Sequence, residues 1–198
     1  MWDERYSQEA FAFGTEPNDF LATMAERIPQ GRVLSLAEGE GRNGTFLARL
    51  GYDVVGVDSS PVGLAKAARL AEQHRVDLTT IVADLARFPI EPESWEGIVS
   101  IFCHLPPDVR QPLHAAVVAG LKPGGVLILE AYTPKQLEFG TGGPKTPERT
   151  MTLEALQREL AGLDLVHARE LEREVCEGIY HTGHAAVVQV VGVKPAQA

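Results

Sequence analysis

The sequence lacks several features that would assign it to a class at once. Only two cysteines, Cys103 and Cys176, stand among its 198 residues. They are too few and too far apart for a disulfide framework or a paired-cysteine zinc motif. That scarcity points to a reducing, cytoplasmic compartment, and no metal is expected. No apolar run approaches the roughly 18 residues of a membrane span. The opening Met1-Trp2-Asp3-Glu4-Arg5 lacks the apolar stretch of a secretory signal. Basic residues are also in deficit, with 18 Lys and Arg against 27 Asp and Glu and a net charge of −9. A phosphate backbone rewards clustered cations, so a nucleic-acid partner is disfavoured. Oligomeric state is left open.

What is present is the composition of an ordinary globular chain, 44% hydrophobic and 23% charged. A chain of this length buries enough surface to fold without a disulfide or metal. One domain over residues 1–198 is expected. From Arg32 onward, short apolar runs alternate with helical patterns. Strands are expected at Arg32–Leu36, Val54–Asp58, Leu78–Val82, Gly97–Phe102 and Val126–Ala131. Asn43 and Ser60-Pro61 are placed to start two of the intervening helices. Pro112 argues for starting the regular part of a further helix near Gln111, and Thr152 is placed to cap a later one. Two late strands, near Leu165–Val175 and Ala185–Val193, are separated only by a short connection holding His181 and His184. Such a connection implies an antiparallel pair. The expected fold is therefore α/β, a Rossmann-like doubly wound sheet with helices on both faces. It is mostly parallel, with a terminal antiparallel strand pair. Residues 1–30 are expected to form helical cover. The Gly- and Pro-rich residues 133–150 are expected to form a lid or binding loop.

The chemistry concentrates after the first strand. Gly39-Glu40-Gly41-Arg42-Asn43-Gly44 matches G-x-G-x-x-G, and Asp58 ends the second strand 19 residues after Gly39. An acidic group there can accept hydrogen bonds from both hydroxyls of an adenosine ribose. The bland alternative is a tight helix-starting turn beside a surface aspartate. A dinucleotide would bring a pyrophosphate to this loop, which contains Glu38 and Glu40. Like charges about 4 Å apart repel by about 4 kcal/mol at an effective dielectric of 20. S-adenosylmethionine has no phosphate and carries a sulfonium and an ammonium, so an acidic loop suits it better than NAD.

The run Val33-Leu34-Ser35-Leu36-Ala37-Glu38-Gly39-Glu40-Gly41-Arg42-Asn43 resembles the first motif of class I S-adenosylmethionine-dependent methyltransferases. Gly56-Val57-Asp58-Ser59-Ser60 is similar to their ribose-binding strand end. Ala83-Asp84-Leu85 is similar to the element that contacts adenine, and Leu121-Lys122-Pro123-Gly124-Gly125 to the turn before their fifth strand. Glu40-Gly41-Arg42-Asn43, with Trp2, Tyr6, Phe13-Gly14 and Pro17-Asn18 ahead of it, resembles the small tellurite-resistance and thiopurine-type branch. The resemblance implies S-adenosylmethionine as cofactor. It implies Ala37, Glu38, Gly39, Asp58, Ser59, Asp84, Leu85, Phe102 and His104 as residues that bind it. The implied partner is a small-molecule methyl acceptor. Two positions depart from the pattern: Ser35 replaces a usual acidic residue and Ala37 a usual glycine. Glu38 or Glu40 is expected to supply the missing charge.

Methyl transfer is a direct displacement at the sulfonium carbon, so the protein mainly supplies orientation. No residue is an obvious base. His104, at the end of the fourth strand, is read as a cofactor contact or cap ahead of a general base. His181 is read as part of a solvated turn or as a base. Tyr6 and Phe13 either close over the cofactor or pack a cover helix. His74, His114 and His167 are read as structural. Lys135, Lys145 and Arg149 either steer an anionic acceptor or solvate a loop. Two other functions share the motifs: an NAD-dependent oxidoreductase and a non-catalytic module that binds S-adenosylmethionine.

Overall fold

The computed structural model describes residues 2–196; Met1, Gln197 and Ala198, which the expected domain includes, lie outside them. Seven strands form one sheet: β1 (Arg32–Leu36), β2 (Asp53–Asp58), β3 (Thr79–Val82), β4 (Trp95–Ile101), β5 (Leu121–Tyr132), β6 (Asp164–Glu177) and β7 (His181–Val193). Their spatial order is β3-β2-β1-β4-β5-β7-β6. The pairs β1–β2, β1–β4, β2–β3 and β4–β5 are parallel, and β5–β7 and β6–β7 are antiparallel. The strand order reverses between β1 and β4. In open α/β sheets that switch point opens a crevice at the carboxyl ends of the strands.

The α-helices are α1 (Trp2–Tyr6), α2 (Asp19–Met24), α3 (Arg42–Arg49), α4 (Pro61–His74), α5 (Pro107–Gly120) and α6 (Leu153–Glu159). The central strands alternate their side chains between two cores. Leu34, Leu36, Ile98, Leu127, Leu129 and Val190 enter one. Val33, Val54, Val99, Ile128 and Val191 enter the other, with Phe20, Leu21 and Ile28 from the leading segment. Burial on both faces is why β1, β4 and β5 read as continuous apolar runs. Among the described residues no helix is long and apolar enough to cross a membrane.

Several expected boundaries hold. Ser60 accepts a hydrogen bond from Gly63 N with Pro61 at the first helical position, and Thr152 accepts one from Ala155 N. His74, read as structural, is the last residue of α4.

Others are corrected. β4 starts two residues earlier than expected, at a buried Trp95, and ends at Ile101. α5 begins at Pro107 and carries Pro112 inside it. The missing N–H of Pro112 costs one hydrogen bond, and the buried Arg110, Leu113 and Val117 outweigh it. Asn43 lies within α3; the cap position is Gly41, in a left-handed conformation. Residues 1–30 are only partly helical, because Gly14 takes a positive φ and Asn18 caps α2. Residues 133–150 form two short 3-10 turns, Pro134–Glu138 and Pro147–Arg149. They are pinned to β7 where Gln136 Oε1 accepts from Ala186 N at 2.9 Å. The hairpin strands run much further than expected, so His181 and His184 lie inside β7, opposite Glu177 and Glu174.

Candidate functional site

β1 ends at Leu36, and the chain turns on Ala37, whose φ is 53°. A non-glycine residue there carries a cost of about 1–2 kcal/mol. Gly39 N–H donates to Asp58 Oδ2 at 2.9 Å, so the loop is tied to the end of β2. Asp58 Oδ1 accepts from Ser60 N at 2.8 Å. Each Asp58 oxygen thus takes one of these backbone bonds and keeps acceptor capacity. Burial holds the Asp58 carboxyl above the usual carboxylate range, against those backbone bonds. Gly41, with φ of 94°, lets the loop lie directly on α4, where a Cβ would stand 2.5 Å from Ala67 Cα.

The two loop carboxylates are both engaged inside the protein. Glu38 Oε1 accepts from Gly44 N at 2.8 Å, in the first turn of α3. Its other oxygen is buried without a partner. Burial pushes the Glu38 carboxyl up to about 7, opposed by hydrogen bonds from Ser35 and Gly44. Glu40 Oε1 pairs with Lys66 Nζ at 2.5 Å, and its Oε2 accepts from Ala12 N at 2.7 Å. The expectation that these carboxylates project charge from the loop is therefore corrected. One caps a helix and the other ties down the leading segment.

That segment crosses the loop. Lys66 donates to the carbonyl oxygens of Gln8 at 2.9 Å and Ala10 at 2.8 Å. The ring of Tyr6 lies against the glycines, and a Cβ on Gly39 would stand 2.9 Å from its hydroxyl. Tyr6 is buried, and burial first, with Asp58 next, raises its phenol far above its ordinary value. Such a phenol is a poor base.

At the other end of the crevice, aromatic rings converge. Phe102 follows β4 with a φ of 51°. Strain of this kind on a bulky residue gathers at functional sites. Its ring stacks on Tyr132, with centroids 4.5 Å apart. His181 meets Phe13 at 4.5 Å, Phe102 at 4.8 Å and Tyr132 at 5.3 Å. His181 is 9% exposed, and its Nδ1 is buried without a partner. Desolvation, with Arg42, His104 and Arg5 nearby, lowers it to about 3, so it is neutral near pH 7. His104 is also neutral, lowered to about 4 chiefly by desolvation. Its Nδ1–H donates to Arg149 O at 2.9 Å, and its Nε2 accepts from Tyr132 N at 3.4 Å. Both nitrogens are thus engaged, and Nε2 meets the end of β5.

The remaining expected residues are dispersed. Ser59 and Asp84 are exposed and Leu85 is buried. Asp84 Oδ1 accepts from Ala86 N. His184 is half-exposed between Glu172 and Glu174, which raise it. His114 pairs with Glu159 at 2.7 Å, and His167 packs on Phe20. Lys135 pairs with Glu172, which removes it as a free steering charge. Phe13, unlike Trp2 of the exposed cover, reaches His181.

Sequence reasoning missed a buried polar network beside the crevice. Glu130, fully buried in β5, accepts from Arg173 Nη2 at 2.7 Å, Gln189 Nε2 at 2.7 Å and Asn18 Nδ2 at 2.6 Å. Glu177 accepts from Asn18 at 2.7 Å and pairs with Arg42 at 2.5 Å. The signal was Glu130, a charge inside the otherwise apolar run of residues 126–132.

Residues 33–125 match the family described as "Methyltransferase domain". A carboxy-S-adenosyl-L-methionine synthase of Erwinia tasmaniensis is 36% identical over 81 residues, 40% of this chain and 33% of that protein. The chain thus spans about a third of the length of the curated synthase. A 2-heptyl-1-hydroxyquinolin-4(1H)-one methyltransferase of Mycobacteroides abscessus is 23% identical, over 73% of this chain and 69% of that one. Among solved structures, TehB from Haemophilus influenzae superposes with a TM-score of 0.73 at 19% identity, covering 98% of this chain and 65% of that chain. A protein studied for conversion of a disulfide bond into a thioacetal group during echinomycin biosynthesis gives a TM-score of 0.79. It is 18% identical, over 100% of this chain and 92% of that one. These two structures share the fold.

Proposed function

We propose, from the match of residues 33–125 to the methyltransferase-domain family, that the chain transfers a methyl group from S-adenosylmethionine to a small-molecule acceptor. The observation that carries this reading is the cap on α3. A dinucleotide places its pyrophosphate on the free N–H groups of the helix after the first strand. Here Glu38 already occupies Gly44 N–H. A ligand without phosphate loses nothing by this.

The residues present fit the cofactor. Asp58 retains acceptor capacity for the ribose hydroxyls, and Ala37 with Gly39 forms the turn beside it. Ser59, Asp84 and Leu85 flank the adenine end, and Phe102 with His104 closes the β4 side. Glu38 contributes its backbone, its carboxyl being turned to α3. Tyr6 covers Gly39. The cofactor supplies an electrophilic methyl group and a neutral leaving group. The protein's part is to bind, orient and exclude water. The two free cysteines accord with a cytoplasmic setting.

The test is thermal unfolding with S-adenosylmethionine, S-adenosylhomocysteine and NADH at equal concentration. A ligand stabilises by RT ln(1 + [L]/Kd). The two sulfur ligands should raise the midpoint, and Asp58→Ala should abolish most of that rise. A larger rise with NADH overturns the reading. Turnover across thiols, amines, phenols and oxyanions then separates an enzyme from a binding module, a reading that Ser35 in place of an acidic residue keeps open.

A further inference from the structure

β7 outruns its neighbour in the sheet. The last β5–β7 pair is Tyr132–Val187, while β7 starts at His181 and stays paired with β6 to that end. Residues 181–186 therefore have no β5 partner, and the loop that follows β5 takes its place. Thr133 N donates to Ala186 O, Ala186 N donates to Gln136 Oε1, and Thr141 Oγ1 donates to His184 O at 2.6 Å. These ties are unequal. The ends of the loop are fixed: Gln136 is buried at one, and at the other His104 holds Arg149 O and Arg110 donates to Thr150 O at 3.2 Å. The middle hangs on Thr141, which also accepts from Gln136 Nε2 at 2.9 Å, on Gly142 O, which accepts from the same nitrogen at 3.2 Å, and on Phe139. The Phe139 ring meets the His184 imidazole edge-on, with centroids 5.0 Å apart. The middle also lies on the crevice. A Cβ on Gly142 would stand 2.4 Å from Tyr180 O and 3.4 Å from His181 Cδ2, and one on Gly143 would stand 2.7 Å from the ring of Tyr132. Both glycines take a positive φ, 127° and 87°, which costs them little.

The seat of Phe139 depends on charge. Both nitrogens of His184 face carboxylates, Nε2 with Glu172 at 2.7 Å and Nδ1 with Glu174 at 3.1 Å. A neutral imidazole has one N–H, so only the protonated ring satisfies both. The charged groups around it are Glu172 and Glu174 on β6, Lys135 from the loop, which pairs with Glu172, and Glu138 beside Lys135. β7 adds no charge at Thr182 or Ala186, the neighbours of His184 on that face. We propose that residues 139–146 are a lid over the crevice, latched by Thr141 and seated on the protonated ring of His184, and that the lid opens as His184 loses its proton. As a gate for the methyl acceptor the lid rests on the methyltransferase reading; as a latch it stands on the chain alone. Without the proton, one nitrogen turns a lone pair toward a carboxylate, the ring leaves its place and Phe139 loses its seat. The two carboxylates hold His184 above its ordinary value of 6.5. The latch is therefore full below 6.5 and is lost as pH rises through the raised value.

Lys145 is exposed in the lid, so trypsin reads the opening. At low trypsin, cleavage follows the open population. The rate of cleavage after Lys145 in the full chain is divided, at each pH, by the rate in a free peptide of residues 137–150, which removes the pH dependence of trypsin itself. From about pH 6 to about pH 8.5 this ratio should rise by about fivefold, the effect of one exposed ion pair of the stronger kind. His184→Gln should be cut quickly throughout, with the ratio constant to within about twofold. Thr141→Val keeps the shape, loses both latch bonds and should be cut faster than the wild type at every pH. In the wild type the midpoint of the rise should coincide with the titration of the His184 ring proton by NMR, a comparison that needs no variant. A ratio constant with pH in the wild type overturns the proposal. So does a wild-type rise in His184→Gln, a wild-type rate in Thr141→Val, or a midpoint apart from that of His184. All of these are read without cofactor, and the methyltransferase reading falls separately, if S-adenosylhomocysteine fails to bind.

Discussion

Glu38 shows how one residue carries two different arguments in sequence and in space. In the sequence it is a negative charge in a ligand loop. In the fold its carboxyl is buried, caps α3 through Gly44 N–H and leaves one oxygen unpaired. Its charge is therefore turned away from a sulfonium in the crevice, and no local pattern announces the inward turn, which depends on Gly44 and Gly56 leaving room for it. Asp58 was legible because its position at a strand end fixes its direction. Glu38 also has a consequence for stability. Its folded-state value of about 7 lies above the ordinary 4.5. Folding thus favours the protonated form. The contribution is full below the unfolded value and is lost as pH rises through about 7. Glu38→Gln keeps an acceptor for Gly44 and removes the titration. Denaturant midpoints measured from pH 5 to pH 8, about the range over which the group changes charge, should fall more in the wild type than in Glu38→Gln. Parallel curves would place the titration elsewhere.

At the scale of elements, the leading segment is held by one lysine. Lys66 is buried on α4, pairs with Glu40 and collects the carbonyls of Gln8 and Ala10. A buried ion pair is a poor source of net stability, but removing one partner strands the other. Here Glu40 also accepts from Ala12 N–H, so the loss falls on the strap over the loop. Lys66→Met should speed hydrogen exchange at the Ala12 amide by about 100-fold, a local opening worth roughly 3 kcal/mol. The Leu34 amide in β1 should keep its protection. Equal loss at both would make Lys66 a support of the whole core. Neither the strap nor the continuous α5 was readable from local pattern. A lone Lys among alanines on α4 looks like a solvated position, and Pro112 looks like a start. Tertiary contacts decided both: carbonyls around Lys66, and Arg110 with its Glu159 partner at 2.8 Å ahead of Pro112.

At the scale of the molecule, the mostly parallel sheet and its terminal antiparallel pair were legible because apolar runs and connection lengths report topology directly. The aromatic crevice was not, since Phe13, Phe102, Tyr132 and His181 come from the leading segment and three separate strand ends. Their meeting depends on the buried network behind them. Arg173 on β6 pairs with Glu130 on β5 and Glu177 at the end of β6, while Asn18 and Arg42 bring in the leading segment and α3. Four parts of the chain thus share one buried polar network. If they form one cooperative unit, breaking the network should destabilise all of them together. Arg173→Ala leaves the fully buried Glu130 without its cation, which costs about 3–5 kcal/mol. For a chain of this length that lowers the unfolding midpoint by roughly 10 °C. Calorimetry should show one transition in both proteins, with calorimetric and van't Hoff enthalpies equal. A second, earlier transition in Arg173→Ala would show that the β6–β7 hairpin unfolds apart from the parallel sheet. The crevice would then be a seam between two units.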